Sequence, residues 1–493
     1  MTNLPKSWLA LKLGDVVEYG ATEKVEPDQI GVHTWVLELE DIERDTSRII
    51  DRRSYLQRLP KSAKNRFHSG DVLYGKLRPY LNKVIRAPGC GVCTTEIVPL
   101  RGNLAVDTNF LFYWLRHPLF LRYVSDASHG VNMPRLGTEA GRNAPFVLAP
   151  RAEQERIAEK LDISLARVTA CKERLDRASS ILQRFRQAVL SAAVSGRLTA
   201  DWRKEHSCDK EHPTGGDVTT GTGCATSLTT NQADLDSKHA TEAPWRISSK
   251  WRWASAADVC EFITKGTTPA KEKMKGAGEV PFIKVYNLTF NGKLDFSVDP
   301  TFVSRDVHIG ELKRSIVRPG DVLMNIVGPP LGKVSVVPPT YAEWNINQAI
   351  ARFRPSEAIV SSFLTICLMS PELTAYAARR AKATAGQFNL TLEVCRGLPI
   401  PLPCKGEQRE IVDAVQRLFA LADRLESRLT VMSGIATKLT PGLIGKAFRG
   451  ELVPQDPNDE PAVELLERLR SSLSATTNAP RHGQRSQKMG QNV

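Results

Sequence analysis

No stretch of this sequence is apolar for long enough to cross a bilayer. The most apolar run, FLFYWLRHPLFL, is broken by Arg116, His117 and Pro118, and it falls short of the ~20 residues a spanning helix needs. The opening MTNLPKSWLALKLGD has no basic-then-apolar leader, so a cytoplasmic location is expected. Its nine cysteines are scattered at irregular spacings, as for reduced thiols. CGVC, Cys90 to Cys93, is a lone C-x-x-C leading into a strand-like run. Zinc would require a second ligand pair, and a redox pair would open a helix. HSCDKEH, His206 to His212, reads as a charged, solvated run rather than a metal site.

Catalytic signatures are also missing. The nearest approach to a phosphate loop is GPPLGKVS, Gly328 to Ser335. It has too few residues between its glycines, Val334 where Ser or Thr should follow the lysine, and two prolines that remove amides. The chain lacks a Gly-rich adenosylmethionine loop, an Asn-Pro-Pro-aromatic motif, a nuclease carboxylate cluster, and a Ser or Cys with a recognisable base. These absences argue against a self-sufficient DNA-modifying enzyme and for a chain without cofactor or metal of its own.

What is present is length, positive charge and repetition. A chain of 493 residues calls for more than one core. A net charge of +13 favours a polyanionic partner, most simply nucleic acid. Glu153-Gln154 and Glu407-Gln408 lie 254 residues apart, and Arg142, Pro145 and Leu148 match Arg396, Pro399 and Leu402 at that offset. Upstream, GDVLYGKLRPYLNKV from Gly70 lies over GDVLMNIVGPPLGKV from Gly320, and Trp8 over Trp251. Small drifts in offset are loop insertions. The chain is thus a tandem duplication, each copy a mixed domain followed by a long helix.

Both helices carry heptads. One row of the first is Leu161, Val168, Leu175, Leu182 and Val189, and the other, from Ile157 to Ala192, is mostly small. The second has Ile411, Leu418, Leu425, Met432 and Leu439 in its larger row, and Val415, Ala422, Leu429, Ala436 and Leu443 in the other. Four to five heptads predict a coiled coil within the chain, with the larger rows facing one another. Separate packing of each helix on its own domain is the alternative. Thr440-Pro441-Gly442 is expected to break or kink the second helix. The predicted organisation is a mixed α+β domain over 1–150, a helix over 151–203, a flexible Thr/Ser/Gly-rich linker over 204–244, a second mixed domain over 245–404, a helix over 405–470 and a disordered tail over 471–493.

In each mixed domain a Gly-Asp turn precedes an apolar strand. CTTEIVPLR and NINQAIARFRP read as further strands, and the runs from Asn109 and Ser361 as helices. Around the loops stand polar and basic residues. In the first copy they are Lys76, Arg78, Tyr80, Asn82, Lys83, Asn132 and Arg135. In the second they are Lys265, Lys284, Asn287, Asn325, Asn347, Gln348, Gln387 and Asn389. Arg and Lys suit phosphates and guanine edges, and Asn and Gln suit adenine. Each also has an ordinary use, in solvent or on loop backbone. A coiled-coil scaffold without DNA would explain the helices, but neither the duplicated domains nor the charge.

The ordered set LPKSWLALKLGDVV, GDVLYGKLRPYLNKV, GVCTTEIVPL, GTTPAKEKMKGAGEVPFIKV, GDVLMNIVGPPLGKVSVV, NINQAIARFRP and FNLTLEVCRGLPIPLP, with the two Glu-Gln helix openings, resembles the specificity subunits of type I restriction-modification systems. The resemblance covers nearly the whole chain except linker and tail. It implies two target-recognition domains joined by an antiparallel helix pair with approximate two-fold symmetry. Each domain would read half of a split site in double-stranded DNA. It further implies methyltransferase and restriction/translocase subunits as partners, with adenosylmethionine, ATP and magnesium on those partners. The long linker, and PCKGEQ and APRAEQ where a proline-rich run is commoner, depart from the family pattern.

Overall fold

A computed structural model of the chain describes residues 4–130, 132–206, 244–328, 330–384 and 387–477. Most of the expected linker, including all of HSCDKEH after His206, and the tail from residue 478 lie outside the described residues. The chain forms two units. One comprises residues up to Asp176 together with those from Val431 onward, and the other runs from Arg177 to Thr430.

Each unit is closed by the same antiparallel strand pair. Leu9–Lys12 runs against Pro145–Leu148 in the first, and Arg252–Ser255 against Pro399–Leu402 in the second. The tryptophan before each pair points at the glutamate that opens the following long helix. Trp8 Nε1 donates to Glu153 at 2.7 Å, and Trp251 Nε1 to Glu407 at 2.9 Å. Among the described residues the neighbouring glutamine bonds only main chain. Gln154 accepts from Asp107 N and donates to Ala105 O and Ala149 O, and Gln408 accepts from Val360 N and donates to Ala358 O and Pro403 O. All four Glu and Gln side chains are buried. The Glu-Gln pair therefore recurs because it fixes a long helix to a mixed domain while satisfying buried polar groups.

The Gly-Asp turns also recur. Gly70 and Gly320 both have positive φ, near +86° and +89°, where an L side chain is strained. Asp71 and Asp321 behind them bind Arg101 and Arg354. The strands Val72–Gly75 and Val322–Asn325 follow. In the first unit a five-stranded sheet, ordered Lys24–Val25, Lys64–Phe67, Gly91–Cys93, Trp35–Leu37, Arg53–Ser54, stands beside a three-stranded one. The second unit has sheets of five, four and three strands besides its closing pair. The helical runs split where Pro follows His or Ser, into Thr108–Trp114 and Pro118–Asp126, and into Ser361–Met369 and Pro371–Arg380.

The long helices are Arg151–Ser195 and Lys405–Ala447. Within the first unit Ile157, Ala158 and Leu161 share a core with Ile444, Ala447 and Phe448. Within the second, Val189, Leu190 and Val194 share one with Ile411, Val412 and Val415. In both units the start of one helix meets the end of the other, which is antiparallel pairing. Arg186 adds ion pairs to Asp423 at 2.6 Å and Glu426 at 2.9 Å. The chain leaving each helix then returns to the other helix's glutamate. Thr199 and Arg203 bind Glu407, and Gln455 binds Glu153.

Several expectations need correction. Leu161, Val168, Val189 and Ile411 are buried, while Leu175, Leu182 and Leu418 are half-buried. Leu425, Met432 and Leu439 are 41%, 55% and 43% exposed, whereas Ala422 and Ala436 of the smaller row are buried. The row of small residues is therefore the buried one, and the bulky row faces outward. The second helix runs through Pro441, which is exposed, so that the Thr437 carbonyl deprived of its donor can be solvated. Burial of Ile444 and Ala447 holds the following turn. The helix expected over 405–470 is two helices, since a second begins at Ala462. That helix, Ala462–Thr477, occupies the start of the expected disordered tail. The first long helix stops at Ser195, where Gly196 takes a φ of +80°, and a short helix follows over Ala200–Glu205.

Candidate nucleic-acid interface

In the first unit three loops are laced together by main-chain bonds. Lys76 N donates to Glu96 O, Leu136 N to Lys76 O, and Arg78 N to Pro134 O, at 2.9, 2.9 and 2.7 Å. Leu77 bridges to Arg135. The lacing gathers Lys76, Arg78, Tyr80, Asn132 and Arg135. Tyr80 is 54% exposed. Arg78 Nη2 reaches the Asn132 carbonyl at 3.5 Å, and Arg135 Nε donates to Glu96 at 2.8 Å. Arg78 has a φ of +49°, a conformation costly for an arginine, and its buried Nε has no hydrogen-bond partner.

Two expected residues face inward instead. Lys83 Nζ donates to Leu39 O at 2.7 Å, and burial pulls its pKa below the ordinary lysine value. Asn82 is buried with a φ of +49° and contacts Asp45. Glu96, which aims Arg135, was missed by sequence reasoning. Its acidity beside a basic loop was the available signal.

The second unit repeats the lacing. Ile326 N donates to Ala349 O and Leu390 N to Ile326 O, both at 2.9 Å. These match the two bonds made by Lys76. Gly266 N bonds Ile350 O, and Gln348 N bonds Thr268 Oγ1. A Cβ on Gly266 would stand 2.2 Å from Ile346 O, so only glycine lets these loops meet. Val327–Gly328 pairs with Phe388–Asn389 of a hairpin whose other strand is Lys382–Thr384. Exposed Lys265 and Gln348 thus share a loop cluster with the hairpin bearing Gln387 and Asn389. Asn347 is half-buried and accepts from Ala349 N.

Lys284 stands apart, 3.5 Å from Asp299 and over the Tyr286 ring. Asn287 and Asn325, expected in loops, instead end a short 3-10 turn and the strand Val322–Asn325, and neither is available to a ligand. Asn287 donates to Asp295 O and Val298 O and accepts from Lys284 N. Asn325 donates to Val327 O and Pro330 O and accepts from Lys333 N. Both are buried turn-formers, a common use of Asn. Lys333, over the Phe290 ring at 5.8 Å, is a basic residue that the sequence reading passed over.

The expectation of reduced thiols throughout is corrected at Cys404, which is disulfide-bonded. Cys93 is buried at the end of a strand, and burial lifts the Cys260 and Cys395 thiols to about 12. Among the described residues no group of three or more His, Cys, Asp or Glu is placed to hold a metal ion, and no helix is long and apolar enough to cross a membrane.

Residues 248–431 match the family model of the type I restriction modification DNA specificity domain. The type I restriction enzyme EcoBI specificity subunit of Escherichia coli is 31% identical over 382 residues, covering 75% of this chain and 73% of that protein. The EcoDI specificity subunit of Escherichia coli is 24% identical over 484 residues, covering 96% of this chain and 97% of its own. In fold, the chain resembles one from a structure addressing complex assembly and conformational transition of the type I R-M system, with a TM-score of 0.67, 20% identity, and coverage of 92% and 100% of the two chains. The HsdS subunit from Thermoanaerobacter tengcongensis gives a TM-score of 0.51 at 21% identity, covering 91% of this chain and 98% of that one. With the duplicated Trp–Glu closure and the antiparallel helix pair, the extended identity to EcoBI places this chain in the family of type I restriction enzyme specificity subunits.

Proposed function

We propose that the chain reads a bipartite sequence in double-stranded DNA, one half-site with each loop cluster. The first reading domain spans 1–150 and the second 245–404. The observation carrying this reading is the twice-built loop cluster, with the same pair of main-chain bonds at Lys76 and at Ile326. Lys76, Arg78, Tyr80, Asn132 and Arg135 suit phosphate, guanine and stacking contacts in the first cluster. Lys265, Gln348, Gln387 and Asn389 suit phosphate and adenine contacts in the second. Catalysis, with adenosylmethionine, ATP and magnesium, resides on methyltransferase and restriction/translocase partners. The outward row Leu425, Met432 and Leu439, extended by Leu421 and Ile435, offers those partners an apolar face at coiled-coil spacing.

The test is an exchange of residues 1–150 for the matching domain of a relative, assembled with the normal partners. Mapping of methylated adenines should show one half of the target changed and the other unchanged. A change in both halves would contradict independent readers.

A further inference from the structure

The first unit contains a cavity of about 620 Å³ at the far end of its five-stranded sheet from the reading loops. Arg52, Arg53, Arg66, His33 and His68 line it, and no carboxylate does. Arg53 and Arg66 pair with Asp51 and Glu23 outside the lining, each at 2.6 Å. Arg52 lies over the Trp35 ring, 4.6 Å from its centroid, and makes no ion pair among the described residues.

The duplicated fold supplies an internal control. Gly91 pairs with Phe67, and its neighbour Val92 pairs with Val36 and Arg66. Trp344 pairs with Val317, and its neighbour Asn345 with Phe282 and Ile316. Trp344 therefore occupies the register of Gly91, and Ile316 that of Arg66. In the second unit the indole fills this position, packed edge-on against Phe296 at 5.2 Å and Tyr341 at 4.9 Å. In the first unit the register holds glycine, the Trp35 and Phe67 rings pack against one another beside it at 5.1 Å, and Arg66 projects from the opposite face of the strand. A Cβ on Gly91 would stand 2.6 Å from Trp35 O and 2.7 Å from Phe67 Cζ, so the register admits no side chain. With Arg53 and Arg66 already paired, Arg52 is the lining guanidinium without a carboxylate partner among the described residues, and it is the one placed to take an anion.

The strand Trp35–Leu37 joins the cavity to the reading loops, for Thr94 N bonds Leu37 O and the chain continues to Glu96. Three residues of strand span about 10 Å, comparable to the ~12 Å width of the DNA major groove. We propose that the cavity holds one phosphate of the DNA backbone, as a sequence-independent anchor flanking the groove read by the first unit. The inference rests on the DNA-reading role proposed above. It is specific to the first unit, since the second has Ile316 in the register of Arg66.

The test compares the wild-type chain, in its complex with methyltransferase subunits, with the double variant Arg52→Gln/Arg66→Gln. Binding of a duplex of arbitrary sequence is measured across salt concentrations. Loss of one phosphate contact should lower the slope of log affinity against log salt by about one, equally for every sequence. The variant Arg52→Lys/Arg66→Lys should restore it and, with circular dichroism, separates charge loss from misfolding. Salt-dependent wild-type binding with an unchanged slope in the Gln variant would overturn the anchor while leaving DNA reading intact. Absence of wild-type DNA binding would overturn both. Titration with inorganic phosphate, followed by phosphorus NMR, covers the other source. Phosphate binding lost in the Gln variant together with an unchanged DNA slope would assign the cavity to a free phosphate compound and reject the backbone anchor.

Discussion

Glu407 is surrounded by donors from two parts of the second unit. Thr199 Oγ1 and Arg203 bind one oxygen and Trp251 Nε1 the other. Among the described residues Glu153 receives side-chain hydrogen bonds only from Trp8 and Gln455. Burial raises its pKa, opposed by those two bonds and by Arg156. Glu407→Ala would strand a guanidinium whose side chain is only 12% exposed, a loss of about 3–5 kcal/mol. Glu153→Ala would strand neutral donors, at about 1–3 kcal/mol. Hydrogen exchange of the two closing strand pairs should show the larger loss of protection in the second unit with Glu407→Ala. The reverse order would contradict the assignment.

His117 gives the first unit a pH response. It stacks on Trp114 at 5.0 Å and faces Phe448 edge-on, and burial, helped by Arg449, lowers its pKa to about 4. The unfolded chain, with an ordinary histidine pKa near 6.5, binds the proton more readily. Stability from neutral His117 is therefore fully present above about pH 6.5 and is lost as pH falls toward 4, by roughly 2–3 kcal/mol. His117→Asn keeps an acceptor for Leu119 N, the cap that His117 now supplies. Thermal melts of this variant between pH 4 and 7 should show a flatter acid limb than wild type. Parallel limbs would exclude His117 as the source.

At the scale of the helices, the row that pairs and the row left exposed should respond oppositely. Ala422→Leu or Ala436→Leu would overpack a close approach, at about 1–3 kcal/mol. Leu425→Ala and Met432→Ala should change the chain's own stability by about 0.5 kcal/mol or less, yet weaken capture of methyltransferase subunits. Chemical denaturation and co-purification separate the two effects. If Met432→Ala destabilised the chain as much as Ala436→Leu, the choice of rows would be wrong.

The heptads were legible in sequence, but the choice of row was not. Ala and Leu both satisfy an apolar pattern, and only backbone separation decides which faces the partner. The same ambiguity governs the site. Asn287 and Asn325 look like Gln348 in a string of letters, because turn geometry and burial, not residue type, commit an amide to its own backbone. Lys83 and Asn82 turned inward for that reason. The Glu-Gln repeat, by contrast, was visible because one bonding arrangement is used twice. The Pro441 expectation failed because helix continuity depends on packing of the following turn, which composition does not carry.

At the scale of the molecule, each long helix begins in one unit and ends in the other. A heptad inserted after Leu175 and another after Leu429 should preserve the rows. Each helix lengthens by about 10 Å, equivalent to about three base pairs at 3.4 Å each. We expect a longer spacer between unchanged half-sites, read by methylation mapping of the assembled complex. An active complex with the original spacer would show that the helices do not set the distance.

The glutamine contacts bear on how such a chain can drift. Among the described residues Gln154 and Gln408 bond only main-chain atoms of the mixed domains. No side chain has to keep its identity for that lock to hold, so long as the backbone follows its path. Substitutions in the reading loops can therefore accumulate one at a time, without matching changes in the helices. New target sequences lie within reach of single mutations that leave the framework intact.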